Sequence, residues 1–265
     1  MMIIFFALLA LAIIFPLLSP GFILTLDAIM VPGGADIVQK LTLFLIFFVA
    51  GYGMARLCKN YFAGILYAIN PFVYERVMAG HWDFLIGYAI FPIIVLTMKN
   101  LLENPKLITT IVLAGLSTAA VSFAPHWAFI LAVFFLVYFI VYFALNRENL
   151  FSTVKYFFLF GGLCVLFNIN WLLPVLLGRG SLITAVSQFS RNDIIAFQSF
   201  PDPVFGVIFN LLSGYGFWVE AQKYFISPKD IVFFWPIISL IFIFLATIGA
   251  YKIFKNKEKA SLPLA

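Results

Sequence analysis

The sequence predicts an all-α, polytopic integral membrane protein with about eight transmembrane helices, one of them kinked, and one long outer loop. Composition, the lengths of the apolar runs and the distribution of charge all lead to this prediction. Of the 265 residues, 64% are hydrophobic and only 10% are charged, and the mean hydropathy is +1.10. A soluble domain carries about a quarter charged residues, so lipid must be the solvent for most of this surface.

The apolar runs define the predicted spans in chain order. A bilayer core about 30 Å thick requires roughly 20 apolar residues in a helix. Seven runs reach or approach this length: Met2–Leu18, Val38–Leu57, Phe84–Met98, Leu107–Phe123, Trp127–Leu145, Tyr156–Leu177 and Ile231–Tyr251. An eighth run, Tyr61–Val73, is interrupted by Asn70-Pro71 and is predicted to form a kinked or partly unwound span.

Charge alternates between successive loops once the kinked span is included. Four connections hold ten of the sixteen basic residues and only three acids; they lie near Arg56, at 99–106, at 147–155 and after residue 251. The opposite loops hold eight of the eleven acids and both histidines. The positive-inside rule therefore makes the basic connections and both termini cytoplasmic. We expect a multi-pass protein of the plasma (cytoplasmic) membrane.

The chain is predicted to be one transmembrane helical domain, residues 1–259, followed by a cytoplasmic tail, 260–265. Its outer loops are 19–37, 74–83 and 178–230, and the last contains an apolar stretch, 203–218, predicted to be interfacial or re-entrant. The apolar N-terminus is interpreted as a retained first span. The basic residues sit in short clusters between apolar runs rather than in one stripe, so no nucleic-acid partner is expected, and no nucleotide-binding or paired-cysteine motif occurs.

Asp27 is a lone carboxylate in an apolar elbow that follows the first predicted span. A carboxylate that loses hydration there has a raised pKa and can serve as a general base near neutral pH. The alternative is that Asp27 caps a short interfacial helix. Position alone leaves both interpretations open.

Polar groups are concentrated in residues 70–83, at the end of the kinked span. Glu75, Arg76, His81 and Asp83 lie there, beside the predicted membrane surface. Broken helices at membrane depth are tolerated where they line a cavity, so this density favours a binding site. The alternative is an ordinary interfacial turn, with Trp82 as an aromatic anchor and Gly80 as the helix stop.

Polar residues also occur at and inside the span that ends near residue 177. Arg179 lies at its mouth, where a guanidinium can hold a lipid phosphate or simply extend toward the interface. Asn168 and Asn170 lie inside the apolar run and are expected to face other helices.

The string Asn70-Pro71-Phe-Val-Tyr-Glu-Arg76, with Gly80-His81-Trp82 and Gly87-Tyr88, resembles prokaryotic membrane proteins of the GT-C glycosyltransferase type, including arabinofuranosyltransferase-like members. The position of Asp27 in the first outer loop is also similar to that of the catalytic acid in this family. The resemblance covers mainly residues 20–100. No acidic pair accompanies Asp27, and the chain is shorter than many members of the family.

The resemblance implies inverting transfer of a sugar from a polyprenyl-phosphate donor to a glycan, lipid or protein acceptor on the extracytoplasmic face. Asp27 would be the base or would help to hold a divalent metal, although no metal ligands can be assigned. Arg76, His81 and Arg179 would be candidates for the donor phosphate, with Glu75 and Asp83 beside them. Two other classes remain open: a transporter or flippase component, and a non-catalytic subunit that assembles with other membrane proteins.

Overall fold

The protein is all-helical in the residues that the computed structural model describes, which are 1–18, 35–145, 150–178, 190–223 and 225–255. The α-helices are α1 (Met2–Ile14), α2 (Ala35–Cys58), α3 (Tyr61–Ala68), α4 (Pro71–Met78), α5 (Trp82–Glu103), α6 (Leu107–Phe123), α7 (His126–Leu145), α8 (Leu150–Phe167), α9 (Ile169–Leu176), α10 (Arg191–Ala196), α11 (Gly206–Leu212), α12 (Pro228–Ile231) and α13 (Trp235–Lys255). Short 3₁₀ helices cover Phe15–Leu17 and Trp218–Gln222. Within those described ranges, no strand forms beyond one isolated bridge between Asp202 and Gly206.

Several helices are suited to a bilayer by length and composition. Asp36–Cys58 and Trp82–Glu103 are each long and apolar enough to cross a membrane, and the pair formed by α8 and α9 qualifies if it counts as one bent span. Shorter apolar helices occur at α1, α6, α7 and α13. The chain therefore has the features of a membrane protein, with two or three candidate spans on these criteria.

The helices pack in chain order around two buried clusters. α2 contacts α1, α3 and α5, while α6 joins α5 to α7 and α8. One cluster lies between α1, α2, α4 and α5 and includes Leu43 and Leu85. The other lies between α5, α6, α7 and α8 and includes Met98 and Leu113. Many large apolar side chains outside these clusters are exposed, as expected for helices that face lipid.

The predicted interruption at Asn70-Pro71 is present and separates α3 from α4. The Asn70 carboxamide accepts from Val73 N at 3.0 Å and donates to the Tyr67 carbonyl at 2.9 Å, so the freed backbone groups are satisfied. Tyr67 stacks on Tyr88 of α5, with ring centroids 4.1 Å apart. Each of these tyrosine hydroxyls also donates to the other residue's carbonyl. The break is thus fixed against α5 at the base of α4.

A second break, which the apolar pattern does not reveal, divides the predicted span 156–177. α8 and α9 meet at Asn168 at an angle of 81°. The Asn168 side chain is buried, donates to Thr118 of α6 at 3.0 Å and accepts from Trp171 at 2.9 Å. Asn170 is exposed, so only one of the two asparagines faces another helix.

Candidate functional site

Helix α4 carries the polar groups predicted from the sequence. Pro71 occupies its first turn, where a missing N–H costs nothing. Gly80 ends it with φ +76°, a conformation that favours glycine. The indole of Trp82 donates to the Val77 carbonyl at 3.0 Å and so holds the following turn against α4. These contacts fix the end of α4, the helix that carries Glu75 and Arg76.

Residues 190–223 and 225–231, here called the cap segment, lie over α4. Tyr74 donates its hydroxyl hydrogen bond to the Ile226 carbonyl at 2.9 Å. The rings of Tyr74 and Phe225 are 6.3 Å apart, and those of His81 and Phe217 are 5.1 Å apart. The apolar stretch 203–218 contributes α11 and a turn, with Gly214 and Gly216 at positive φ.

A pocket of about 220 Å³ lies between α4 and the cap segment. Glu75 and Arg76 contribute its charged groups, and most of the remaining wall is aromatic or glycine. It is lined by Phe72, Glu75, Arg76, Phe197, Ser199, Leu211, Gly214, Tyr215, Gly216, Phe217 and Trp218. Residues from distant parts of the chain therefore meet at the segment that the sequence singled out.

Glu75 is a buried carboxyl with only 1% of its surface exposed. Burial, followed by repulsion from Glu220, raises its pKa to about 8, although Lys229, the Phe217 amide and Arg76 act in the opposite direction. Its Oε1 atom is buried and has no hydrogen-bond partner within the described ranges. At neutral pH this side chain is mostly a protonated, neutral acid.

Arg76 is a partly buried guanidinium held by aromatic rings. Its Cζ lies 3.7 Å from the centroid of Phe217 and 5.2 Å from those of Phe72 and Phe84. Burial lowers its pKa to about 10, so it is still a cation at neutral pH. No carboxylate of the described ranges lies within ion-pair distance, and Nε is buried there without a partner.

His81 supports Arg76 from the turn after α4. Its Nδ1 lies 3.1 Å from Arg76 Nη1 and must accept there, since a guanidinium only donates. Burial lowers the pKa of His81, and Arg76 and His126 lower it further. Asp83 is exposed and accepts from Phe84 N at 2.7 Å at the start of α5. His81 thus contacts the pocket's cation, whereas Asp83 contributes charge from outside it.

Trp127 of α7 fixes the position of Phe84 behind Arg76. Its indole donates to the Phe84 carbonyl at 3.0 Å, and the two rings stack at 5.2 Å. Gly87 provides the space, because a Cβ at this position would collide with the Trp127 ring. Gly87 therefore allows Trp127 to pack against Phe84, one of the three rings around Arg76.

A second charged cluster, here called the Lys229 network, lies inside the cap segment. Lys229 Nζ is 2.7 Å from Glu220 Oε1 and 3.7 Å from Asp202 Oδ2, and it donates to Asn210 Oδ1. The second oxygen of Glu220 accepts from Gly216 N at 3.1 Å. Backbone amides of residues 204 and 205 donate to Asp202, each at 2.9 Å. These charges are paired and hydrogen-bonded.

An apolar groove of about 590 Å³ lies among α6, α7, α8 and α9. Ala128, adjacent to Trp127, contributes to its wall, and Gly161 leaves open space at its side. Ser117 Oγ is buried in this wall without a partner in the described part of the chain. Ala128 of the groove wall is thus the chain neighbour of Trp127, which packs on Phe84, one of the rings that contact Arg76.

The predicted site residues fall into two groups. Glu75 and Arg76 share one pocket and His81 contacts Arg76, while Asp27 and Arg179 lie outside the described residues. The sequence prediction assigned no site role to the members of the Lys229 network. In the sequence, the one indication of this cluster was Asn210, a polar residue inside the apolar stretch 203–218. No group of three or more potential metal ligands occurs within the described ranges.

Comparison with known proteins identifies no protein similar to this chain. No family model matches the sequence, and neither a curated protein nor a solved structure matches it.

Proposed function

We propose that this chain is a membrane glycosyltransferase that moves a sugar, with inversion, from a polyprenyl-phosphate donor to an acceptor on the extracytoplasmic face. The observation that carries the proposal is Arg76, a cation in a pocket without a carboxylate within ion-pair distance among the described residues. A phosphate group would place a negative charge directly beside Arg76, and a guanidinium matches its geometry. Arg76 would neutralise the leaving phosphate during transfer.

The apolar groove supports a lipid-linked donor. It lies beside Trp127, whose partner Phe84 contacts Arg76. A phosphate at Arg76 would leave the hydrocarbon chain of the donor at the bundle surface, where the groove can bury part of it. The cap segment would cover the sugar and exclude water from the reacting bond.

Asp27 is the proposed base. It would remove the proton of the acceptor hydroxyl, whose oxygen attacks the anomeric carbon opposite the phosphate. The bond between that carbon and the phosphate oxygen then breaks, and polyprenyl phosphate leaves with the electron pair. His81 would orient Arg76, Glu75 would contact the phosphate, and Asp83 and Arg179 would add charge near the opening. A divalent metal is compatible with this chemistry.

The proposed topology has about eight spans with both termini in the cytoplasm. The chain would sit in the plasma membrane as one domain, 1–259, with outer loops at 19–37, 74–83 and 178–230. The distribution of basic residues supports this orientation. A cysteine introduced at position 81, after Cys58 and Cys164 are replaced, should react with an impermeant thiol reagent added outside cells. Reaction only after permeabilisation would reverse the orientation.

Transfer can be tested with the purified full-length chain in liposomes that contain a defined set of polyprenyl-phosphate sugars. We expect sugar to move to an acceptor from a crude envelope extract, with release of polyprenyl phosphate. Asp27→Asn should abolish release, whereas the matched Asp36→Asn, which removes the carboxylate that pairs with Lys40, should retain it. Full activity of Asp27→Asn would exclude its role as the base. Import of sugar phosphate into the liposomes without transfer would favour a transporter instead.

A further inference from the structure

We propose that Glu75 binds the phosphodiester in its neutral, protonated form, so that donor and proton occupy the Arg76 pocket together. This inference rests on the proposed function in placing a phosphodiester at this pocket. It assigns Glu75 a specific role as a hydrogen-bond donor and makes binding depend on pH.

Two residues that line the same pocket each have a buried polar atom without a hydrogen-bond partner in the described part of the chain. Glu75 Oε1 and Arg76 Nε are buried, and neither has a partner among the described residues. Buried polar atoms in native proteins nearly always have partners. A phosphodiester has two anionic oxygens, of which one can accept from Nε–H and the other from a protonated carboxyl. The Phe217 amide lies close enough to the Glu75 carboxyl to lower its pKa, and the unpartnered Oε1 is available to a ligand.

The charges around Glu75 balance only when its carboxyl is protonated. The groups that interact with Glu75 are Arg76 on its own helix and Glu220, Lys229 and Tyr215 from the cap segment. Asp202 pairs with Lys229, while His81 and Asp83 interact with Arg76. With Glu75 neutral, two cations face two carboxylates in the buried set formed by Arg76 and the Lys229 network. An ionised Glu75 would give this set a net negative charge before any anion entered.

A bound phosphodiester makes an ionised Glu75 still less favourable. Its single negative charge pairs with Arg76, and an ionised Glu75 beside it would be a second unpaired negative charge in a pocket with little water. A neutral carboxyl instead donates to the anionic oxygen, which gives a charge-assisted hydrogen bond. The pocket should therefore release its ligand as Glu75 loses its proton.

The test uses the full-length protein in nanodiscs and two diesters that do not titrate near neutrality. Dihexyl phosphate represents a lipid phosphate and dimethyl phosphate a free one. Affinity is measured by calorimetry from pH 6.5 to 9, below the pKa of about 10 of Arg76. Wild-type affinity should be constant at low pH and fall toward tenfold per unit above the Glu75 pKa of about 8. Tighter binding of dihexyl phosphate would identify lipid as the source, and equal binding a free phosphate.

Glu75→Gln is the decisive variant, because the amide keeps a donor but cannot ionise. It should bind within about threefold of wild type at pH 6.5 and show no decline up to pH 9. Glu103→Gln, the same change at the C-terminal end of α5, should follow the wild-type curve. A flat wild-type curve, a parallel decline in Glu75→Gln, or failure of both diesters to bind would overturn the proposal.

Proton uptake provides a readout that needs no variant. The binding enthalpy of the wild type at pH 8.8, measured in buffers of different ionisation enthalpy, should reveal uptake approaching one proton per diester. Uptake near zero would overturn the proposal even if Glu75→Gln fails to fold. Proton-linked binding without sugar transfer would contradict the glycosyltransferase assignment and leave the role of Glu75 intact.

Discussion

Arg76 and Lys229 are both largely removed from water and both lie near Glu75, but their surroundings differ. Lys229 contacts two carboxylates and an amide oxygen, and its partners are in turn held by backbone amides. Arg76 contacts three aromatic rings and a neutral histidine, and its Nε has no partner in the described part of the chain. The charges of the first arrangement are paired within the protein, whereas the second leaves Arg76 Nε, among the described residues, without a partner, which an anion would supply under the proposed function.

Lys229 is held by charges of the protein itself, whereas Arg76 is the cation that we propose binds the ligand. A buried ion pair contributes mainly when one partner is removed, because the other is then left uncompensated. A cation without a counter-ion carries its desolvation cost in the free protein and recovers it when a ligand binds. Mutations of the two cations should therefore affect different measurements.

Loss of Lys229 should have the largest effect on folding. Lys229→Met leaves Glu220 and Asp202 buried without their cation, which costs about 3–5 kcal/mol. The measurement is thermal unfolding of purified protein in detergent. Lys223→Met, at an exposed lysine of the same segment, should change the midpoint little. Similar midpoints for the two variants would show that the Lys229 network is not structural.

The pH dependence of stability should reveal the buried acid. The folded-state pKa of Glu75 is about 8 against an ordinary value of 4.5, so the folded state holds a proton that the unfolded state releases between these values. Stability from this group is full below pH 4.5 and declines by up to about 1.4 kcal/mol per pH unit until pH 8. Glu75→Gln should lose this decline when unfolding midpoints are compared between pH 5 and 9. Parallel curves for the two proteins would refute the raised pKa.

Loss of Arg76 should affect binding more than folding. Arg76→Gln removes a charged hydrogen bond worth about 1.5–3 kcal/mol, so dihexyl phosphate should bind roughly 10- to 100-fold more weakly. Its unfolding midpoint should stay close to that of wild type, because no ion-paired carboxylate is left unpaired. A loss of stability as large as that of Lys229→Met, with binding retained, would reverse the roles of the two cations.

The smallest expected effect concerns the contact between α4 and the cap segment. Tyr74→Phe removes the hydrogen bond to the Ile226 carbonyl, which contributes about 1 kcal/mol. Limited proteolysis should cut the cap segment several-fold faster than in wild type. Tyr156→Phe, the same change on α8, serves as the control, and equal cleavage rates would mean that Tyr74 does not hold the segment.

Much of the helical architecture follows from the sequence, because apolar runs and helix breakers act locally. Leu107–Phe123 agrees with α6, and Asn70-Pro71 separates α3 from α4 as expected. The all-α class is confirmed, whereas the count of eight spans stays a prediction beside two or three candidate spans. The bend at Asn168 escaped prediction, since one asparagine in an apolar run leaves its length unchanged and its partner Thr118 lies on another helix.

The candidate site was predictable only in part. Glu75, Arg76 and His81 are close in sequence, so their clustering at a helix break indicates a site. Lys229 lies far from them in the chain, and a single lysine in a polar loop is indistinguishable from a solvated one. Its role depends on a cap segment whose fold brings Glu220 and Asp202 together, and no local pattern specifies that tertiary arrangement.

A cryo-electron microscopy map of the nanodisc-embedded protein with dihexyl phosphate at pH 6.5 would distinguish Arg76 from Lys229 as the cation that binds phosphate. We expect phosphate density within hydrogen-bonding distance of both Arg76 Nε and Glu75 Oε1, with the Lys229 network unchanged. Phosphate density against Lys229, or an Arg76 pocket without density at saturating ligand, would contradict it.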